Sequence, residues 1–175
     1  VERTKHPQHK QAVRKAKVQA GQSVAVLGAS GGVGSYVVQI AKAAGAEVTG
    51  VCSTAKVDLV QVLGADHVVD HTQRDYAEDG PYDVILDIGG SRTLGQLRRA
   101  LTPKGRLVIV GGETDGRWLG GFDRQVRAGL LSPFVSQTLG QVASREKAED
   151  LVALRELIEG GQVTPAVGGI YPLAE

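Results

Sequence analysis

A glycine-rich turn between an apolar run and an amphipathic segment constrains the fold of this chain more than any other feature. The apolar residues 24–27 lead into the sequence GASGGVG at 28–34, and residues 33–44 then carry apolar side chains at helical spacing. Gly45 ends this segment, and a second apolar run covers residues 48–51. A strand, turn, helix and strand within about 30 residues are typical of a nucleotide-binding βαβ unit.

The chemistry of the turn favours a bound phosphate group. Glycine leaves the backbone open, since a side chain there would hold the phosphates of a ligand away from the N–H groups. The free N–H groups and the positive dipole end of the following helix favour an anion. Ala29 stands in the place of the first glycine of the usual motif. The alternative is a turn whose glycines serve only the packing of the chain itself.

The charge balance argues against several classes of partner. The 175 residues contain 20 Lys and Arg against 19 Asp and Glu, so no strong field favours nucleic acid or an anionic membrane. No apolar run reaches about 18 residues, so we expect no membrane span. Residues 1–17 are basic, and we interpret them as a solvated lead-in, a linker helix or an added remnant rather than as a nucleic-acid-binding arm.

The cysteine and histidine content predicts no metal site. Cys52 is the single cysteine, so it cannot form an internal disulfide, and it has no Cys or His partners at zinc-ligand spacing. We interpret it as a buried packing thiol. The four histidines are scattered, and the composition is typical of a cytoplasmic protein.

Strand-like and helix-like segments alternate along most of the chain. The predicted strands are 23–27, 47–51, 67–70, 82–87 and 106–110, with helices at 32–44, 55–63 and 92–101. Beyond residue 112 we expect a helix near 122–130, a strand near 134–142 and a last helix at 146–159 that turns Ala148, Leu151, Leu154 and Ile158 inward. This alternation predicts an α/β fold, a Rossmann-type doubly wound parallel sheet in three layers α/β/α, as one domain over 18–175.

Glycines follow three of the predicted strands, at Gly28, Gly89 and Gly111. Ligands of such sheets bind at the carboxyl ends of the strands, near the switch in strand order. We therefore expect one extended nucleotide across this edge. The apolar residues within 118–142 are a candidate surface for a homodimer contact.

The end of the second strand predicts which dinucleotide binds. NAD-specific folds carry an Asp or Glu about 20 residues after the glycine turn, where it binds the ribose hydroxyls. Residues 51–56 contain no carboxylate. Ser53 and Thr54 can donate to a 2′-phosphate, Lys56 can supply charge, and His71 can reach the adenosine side. This favours NADP(H), with NAD(H) as the alternative.

Six motifs in order resemble the medium-chain dehydrogenases/reductases, and most closely their zinc-free quinone oxidoreductases, including ζ-crystallin-like proteins. These motifs are GASGGVG, VCSTAK, LGADHVVDHT, YDVILDIGG, PKGRLVIVGG and IYPLAE. The resemblance covers residues 18–175. It implies that the NADPH diphosphate binds at Ser30, Gly31, Gly32, Val33 and Gly34, that Ser53, Lys56 and His71 lie near the adenosine phosphate, and that Gly111 and Gly112 lie beside the nicotinamide.

The resemblance also implies an activity. It implies metal-independent hydride transfer to a small-molecule quinone or enone-type carbonyl substrate. Members of that family begin with a GroES-like catalytic domain, so this chain resembles an excised cofactor-binding domain that is inactive alone. We assign no catalytic residue, and we interpret Asp87 as a loop cap or a cofactor contact. The alternative is a non-catalytic module that binds or senses NADPH or mediates assembly.

Two other nucleotide-binding classes are excluded by missing residues. Short-chain dehydrogenases need a lysine four residues after the catalytic tyrosine, because the lysine lowers the pKa of the tyrosine. None of the four tyrosines of this chain has one. A methyltransferase would carry a carboxylate at the end of the second strand, where residues 51–56 have none.

Overall fold

A computed structural model describes residues 13, 16–110, 136–142 and 148–167. Its strands are β1 (Ser23–Leu27), β2 (Glu47–Cys52), β3 (His67–Asp70), β4 (Tyr82–Asp87), β5 (Leu101–Val110) and β6 (Thr138–Val142). They form one parallel sheet in the order β3-β2-β1-β4-β5-β6. The order reverses between β1 and β4, as in a doubly wound fold. The predicted fold class is confirmed.

Four helices lie in the described part of the chain. They are α1 (Gly34–Ala43), α2 (Val57–Val62), α3 (Leu94–Arg99) and α4 (Ala148–Glu159), and short 3₁₀ turns cover Thr54–Lys56 and Tyr76–Asp79. None of the described helices combines the length and the apolar character that crossing a membrane requires. The predicted helix near 122–130 lies outside the described residues, as does most of the 118–142 surface.

The sheet is buried on both faces, which explains why its strands are continuous apolar runs. Successive side chains of a strand point to opposite faces. Val24 and Val26 of β1 therefore join one core cluster with Val37 of α1. Ala25 and Leu27 join a second cluster with Leu97 of α3, on the other face. The two clusters give the three layers that the alternation predicts.

Strand β5 begins earlier than the sequence predicts. It pairs with β4 at Tyr82↔Leu101 and again at Val84↔Arg106, with a register shift between the two pairs. Pro103 lies in the shifted stretch, and proline has no N–H to donate to the ladder. The predicted break at Pro103 is therefore an irregularity inside a strand.

The predicted inner face of α4 is partly wrong. Leu154 and Ile158 pack against the core as expected, together with Leu157. Ala148 is exposed, and Leu151 is 49% exposed. The reason is that the core meets the face that carries Leu154 and Leu157, and this rotates Leu151 toward solvent.

The described residues of the basic lead-in contact the core. Val13 and Ala16 are buried in the first cluster. The guanidinium of Arg106 in β5 donates to the carbonyl oxygens of Ala16, at 3.2 Å, and Lys17, at 3.3 Å. These contacts attach the segment before β1 to the amino edge of the sheet.

An ion pair joins α1 to the amino edge of the sheet. Lys42 Nζ lies 2.7 Å and 2.8 Å from the two carboxylate oxygens of Asp66, and the backbone N–H of Val48 donates to Asp66 Oδ2 at 2.7 Å. Burial raises the pKa of Asp66, but the hydrogen bonds from Lys42 and Val48 outweigh it and lower the pKa below its usual 3.8.

This lowered pKa predicts a pH dependence of stability. Asp66 stabilises the fold above the pKa of the unfolded chain, and the contribution is lost as the pH falls through the lower folded pKa. We expect Asp66→Asn to reduce the free energy of unfolding at neutral pH by about 1 kcal/mol, since the pair is partly exposed. The variant should then lose less additional stability than the wild type below about pH 4. Urea unfolding across this range measures both effects, and parallel acid losses would contradict the assignment.

Candidate functional site

A cleft of about 190 Å³ opens at the carboxyl edge of the sheet, beside the reversal of strand order between β1 and β4. Its lining includes Gly28, Ser30, Cys52, Ser53, His71 and Arg92. These residues follow or end β1, β2, β3 and β4, so the fold alone brings them together. Three predicted site residues, Ser30, Ser53 and His71, therefore share one cleft.

The glycine turn is fastened to the end of β2. The N–H groups of Gly28 and Ala29 donate to the carbonyl oxygen of Val51 at 3.1 Å and 3.0 Å. The N–H of Gly31 then donates to the carbonyl oxygen of Gly28 at 3.1 Å. These bonds fix the turn before α1 begins.

Two glycines of the turn are required by the packing of the chain. A Cβ on Gly34 would overlap the carbonyl oxygen of Gly28 and lie 2.8 Å from its carbonyl carbon. Gly28 has φ +83°, in the left-handed region, and a Cβ there would lie 3.0 Å from the N atom of Gly89. Both contacts are with backbone, which cannot move aside like a side chain. The fold therefore explains Gly28 and Gly34.

The other two glycines of the turn are not required by this packing. A Cβ on Gly32 would meet nothing within 4 Å, and a Cβ on Gly31 would lie at an ordinary 3.4 Å from the carbonyl oxygen of Gly28. Neither glycine has a φ in the left-handed region. The purely structural interpretation of the turn therefore leaves Gly31 and Gly32 unexplained.

The start of α1 has unused donors. Val33 makes no side-chain cap hydrogen bond, and the first turn carries no acidic residue. Among the described residues, the N–H groups of Gly32, Val33 and Gly34 donate to no acceptor. Three N–H groups at the positive end of a helix form an anion-binding arrangement.

The segment after β2 is tied to the end of β3. The Thr54 hydroxyl donates to Asp70 Oδ2 at 2.5 Å, and the Thr72 N–H and hydroxyl donate to Asp70 Oδ1 at 2.9 Å and 2.7 Å. These bonds, the one from Thr54 first, lower the pKa of Asp70 below its usual value. Lys56 is exposed on this segment and does not line the cleft.

The loop after β4 closes the other wall of the cleft. The N–H groups of Ile88 and Gly89 both donate to the carbonyl oxygen of Leu27 at 3.0 Å. Asp87 is buried, and its Oδ1 accepts the N–H of Gly90 at 3.1 Å. The interpretation of Asp87 as a loop cap is confirmed.

Sequence reasoning missed two charged residues of this site. Arg92 lines the cleft, and Asp70 fixes the segment after β2 through Thr54. The signal for Asp70 was its place at the end of β3, and the signal for Arg92 was its place in the loop between β4 and α3, at the same edge of the sheet. Gly111 and Gly112 lie outside the described residues.

Cys52 is a packing thiol, as predicted. It is buried in the core at the end of β2. Burial raises the pKa of its thiol, and the negative charge of Asp70 raises the pKa further. Within the residues that the structure describes, no group of three His, Cys, Asp or Glu side chains can hold a metal ion.

Comparison with known proteins identifies relatives over most of the chain. A family model described as zinc-binding dehydrogenase matches residues 32–123, more than half of the chain. The chain is 46% identical to the mitochondrial NAD(P)H oxidoreductase RTN4IP1 of Bos taurus, over 89% of this chain and 43% of that protein. It is 31% identical to the quinone oxidoreductase of Rattus norvegicus, over 90% of this chain and 49% of that protein. The chain thus spans less than half the length of these relatives.

A solved structure confirms the architecture. The quinone oxidoreductase from Coxiella burnetii superimposes with a TM-score of 0.80 over 96% of this chain and 50% of that chain. The sequence identity is 20%, so this likeness concerns the fold.

The distinction between the glycines predicts two different effects on stability. Gly34→Ala should lower the free energy of unfolding by about 1–3 kcal/mol, because the new Cβ forces the backbone of α1 away from β1. Gly32→Ala should change it by less than about 0.5 kcal/mol, because the Cβ has room. Urea unfolding of both variants measures the difference. Equal losses would contradict the conclusion that the packing of the chain requires Gly34 but not Gly32.

Proposed function

This chain belongs to the zinc-binding dehydrogenase family of the medium-chain dehydrogenases/reductases, and from this premise we propose that it forms the NADP(H)-binding domain of an oxidoreductase. The substrate class we propose is a quinone or an enone-type carbonyl compound. The observation that carries the proposal is the pair Gly31 and Gly32. The fold does not require these glycines, and the N–H groups of Gly32, Val33 and Gly34 donate to no acceptor in the part of the chain that the structure describes.

The residues of the turn fit a diphosphate group. A diphosphate against residues 31–34 would accept from the N–H groups of Gly32, Val33 and Gly34. It would also lie at the positive end of the ten-residue helix α1. A side chain at position 31 or 32 would stand between the phosphate and the backbone. The first turn of α1 has no acidic residue that would repel the ligand.

The adenosine side supports NADP(H) over NAD(H). Strand β2 ends at Cys52 and offers no carboxylate to the ribose hydroxyls. Ser53 and His71 line the cleft there and can donate to a 2′-phosphate. Lys56 follows within one 3₁₀ turn, since its N–H donates to the carbonyl oxygen of Ser53 at 2.9 Å, and adds positive charge.

The chain contributes binding and orientation rather than proton transfer. When bound, the nicotinamide coenzyme supplies the hydride. The backbone of residues 31–34 would hold its diphosphate, and Ser53 and His71 would hold its adenosine end. Gly111 and Gly112, which follow β5, would adjoin the nicotinamide. Zinc independence is part of the proposal, because the single cysteine is buried and the histidines are scattered.

Location and assembly belong to the same proposal. We propose a cytoplasmic protein that forms a homodimer through residues 118–142, with no nucleic acid or membrane as partner. The near-neutral charge balance and the single cysteine support this location. The bovine relative is named mitochondrial, so an organelle is the competing location.

Coenzyme titration tests which coenzyme the chain binds and at which residues. We expect calorimetry to show tighter binding of NADPH than of NADH. Gly32→Ala should weaken NADPH binding about tenfold or more at an unchanged melting temperature, because the Cβ blocks the phosphate, a loss of about 1.4 kcal/mol. Gly95→Ala, in the open exterior of α3, is the matched control and should bind normally. Tighter binding of NADH would overturn the coenzyme assignment, and normal binding by Gly32→Ala would overturn the phosphate site.

An activity assay separates the enzyme from the alternative of a sensing or assembly module. We expect the chain, joined to the rest of its native reading frame, to oxidise NADPH in the presence of quinones or enones. The reason is that the substrate pocket of this family lies between two domains. The loss of the near-ultraviolet absorbance of NADPH measures turnover. Tight NADPH binding with no turnover on either substrate class would favour the sensing module.

A further inference from the structure

Asp70 places a fixed carboxylate beside the adenosine end of the cleft. It is the last residue of β3 and lies opposite Cys52 of β2 in the parallel ladder. The next residue, His71, continues the pairing, because its N–H donates to the carbonyl oxygen of Cys52 at 3.0 Å. Cys52 and His71 both line the cleft. The carboxylate is therefore next to two lining residues without lining the cleft itself.

The charge of Asp70 is oriented but not neutralised by its hydrogen bonds. Its three donors, the Thr54 hydroxyl and the hydroxyl and N–H of Thr72, are all neutral groups. Within the described ranges, no lysine or arginine is ion-paired with it. Both carboxylate oxygens are thus held in place while the full negative charge remains.

The field of this charge reaches the cleft. The negative charge of Asp70 raises the pKa of the cleft-lining Cys52 thiol, second only to burial. A 2′-phosphate held by Ser53 and His71 would lie in the same field. The fixed carboxylate would repel it, whereas the ribose hydroxyl of NADH carries no charge.

We propose that Asp70 is a specificity-determining residue that limits the preference of this chain for NADPH over NADH. In NAD-specific folds, the discriminating carboxylate ends the second strand and contacts the ribose. Here the carboxylate is displaced to the neighbouring strand and held back by Thr54 and Thr72. It therefore weakens the binding of a 2′-phosphate without excluding it. This inference rests on the proposed function, since it concerns the same cleft.

The Asp70→Asn variant tests the charge with little change of shape. The amide oxygen can keep the bonds from Thr72, and the amide NH₂ can donate to the Thr54 hydroxyl. We expect the ratio of NADPH to NADH affinity, measured by calorimetry at about 0.15 M ionic strength, to rise about fivefold. The rise should shrink in about 0.5 M salt, where screening is strong.

Two variants control for other causes. Glu47→Gln removes the same charge at the opposite end of β2, about 17 Å away, beyond the screening length of about 8 Å, and should leave the ratio unchanged. Thr72→Val removes the hydrogen bond from the Thr72 hydroxyl to Asp70 but keeps the charge of Asp70. It should also leave the ratio of NADPH to NADH affinity unchanged. Melting temperatures confirm that each variant is folded.

The outcomes separate this inference from the proposed function. An unchanged or lower ratio in Asp70→Asn, with NADPH still preferred by the wild type, overturns the role of Asp70 alone. An equal rise in Thr72→Val also overturns it, because the network and not the charge would then set the ratio. A wild type that prefers NADH, with a raised ratio in Asp70→Asn, overturns the coenzyme assignment and supports the role of Asp70. A wild type that binds neither coenzyme overturns both.

Discussion

The close approach of α1 to the end of β1 is the contact on which the rest of the site depends. Gly34, the first residue of α1, lies so near the Gly28 carbonyl that no Cβ can fit between them. This contact places the positive end of the helix directly over the carboxyl edge of the sheet. The N–H groups of Gly32, Val33 and Gly34, which donate to no acceptor among the described residues, lie at this end of the helix.

The cleft is held open by backbone bonds between neighbouring loops. The carbonyl oxygen of Val51 accepts hydrogen bonds from the turn after β1, and the carbonyl oxygen of Leu27 accepts hydrogen bonds from the loop after β4. The carboxylate of Asp87 also fixes that loop, because it accepts the N–H of Gly90. Such a site is ordered before a ligand arrives, so binding costs less conformational entropy. The same strands that form the core therefore also set the shape of the proposed coenzyme cleft.

Local patterns in the sequence predicted the strands. Tertiary contacts decided the features that those patterns left open, such as which face of a helix is buried and which glycines the packing requires. The bounds of β1, β3 and β4 match the predicted ones, because apolar runs end at glycines or polar residues. The predicted inner face of α4 was partly wrong. Leu151 and Leu157 are both compatible with an amphipathic helix, and only the packing against the core decides which of them is buried. Asp70 was missed because its role depends on Thr54, which is distant in sequence. The motif GASGGVG likewise does not reveal which glycines serve the fold and which serve a ligand.

The proposed function depends on a diphosphate that binds the bare backbone at the start of α1. Amide chemical shifts recorded by NMR while NADPH is titrated into the labelled chain test it residue by residue. We expect the amides of Gly32, Val33 and Gly34 to shift most, with smaller changes at Ser53 and His71. Shifts confined to the amino edge of the sheet, around Glu47 and His67, would contradict it, as would a spectrum that NADPH leaves unchanged.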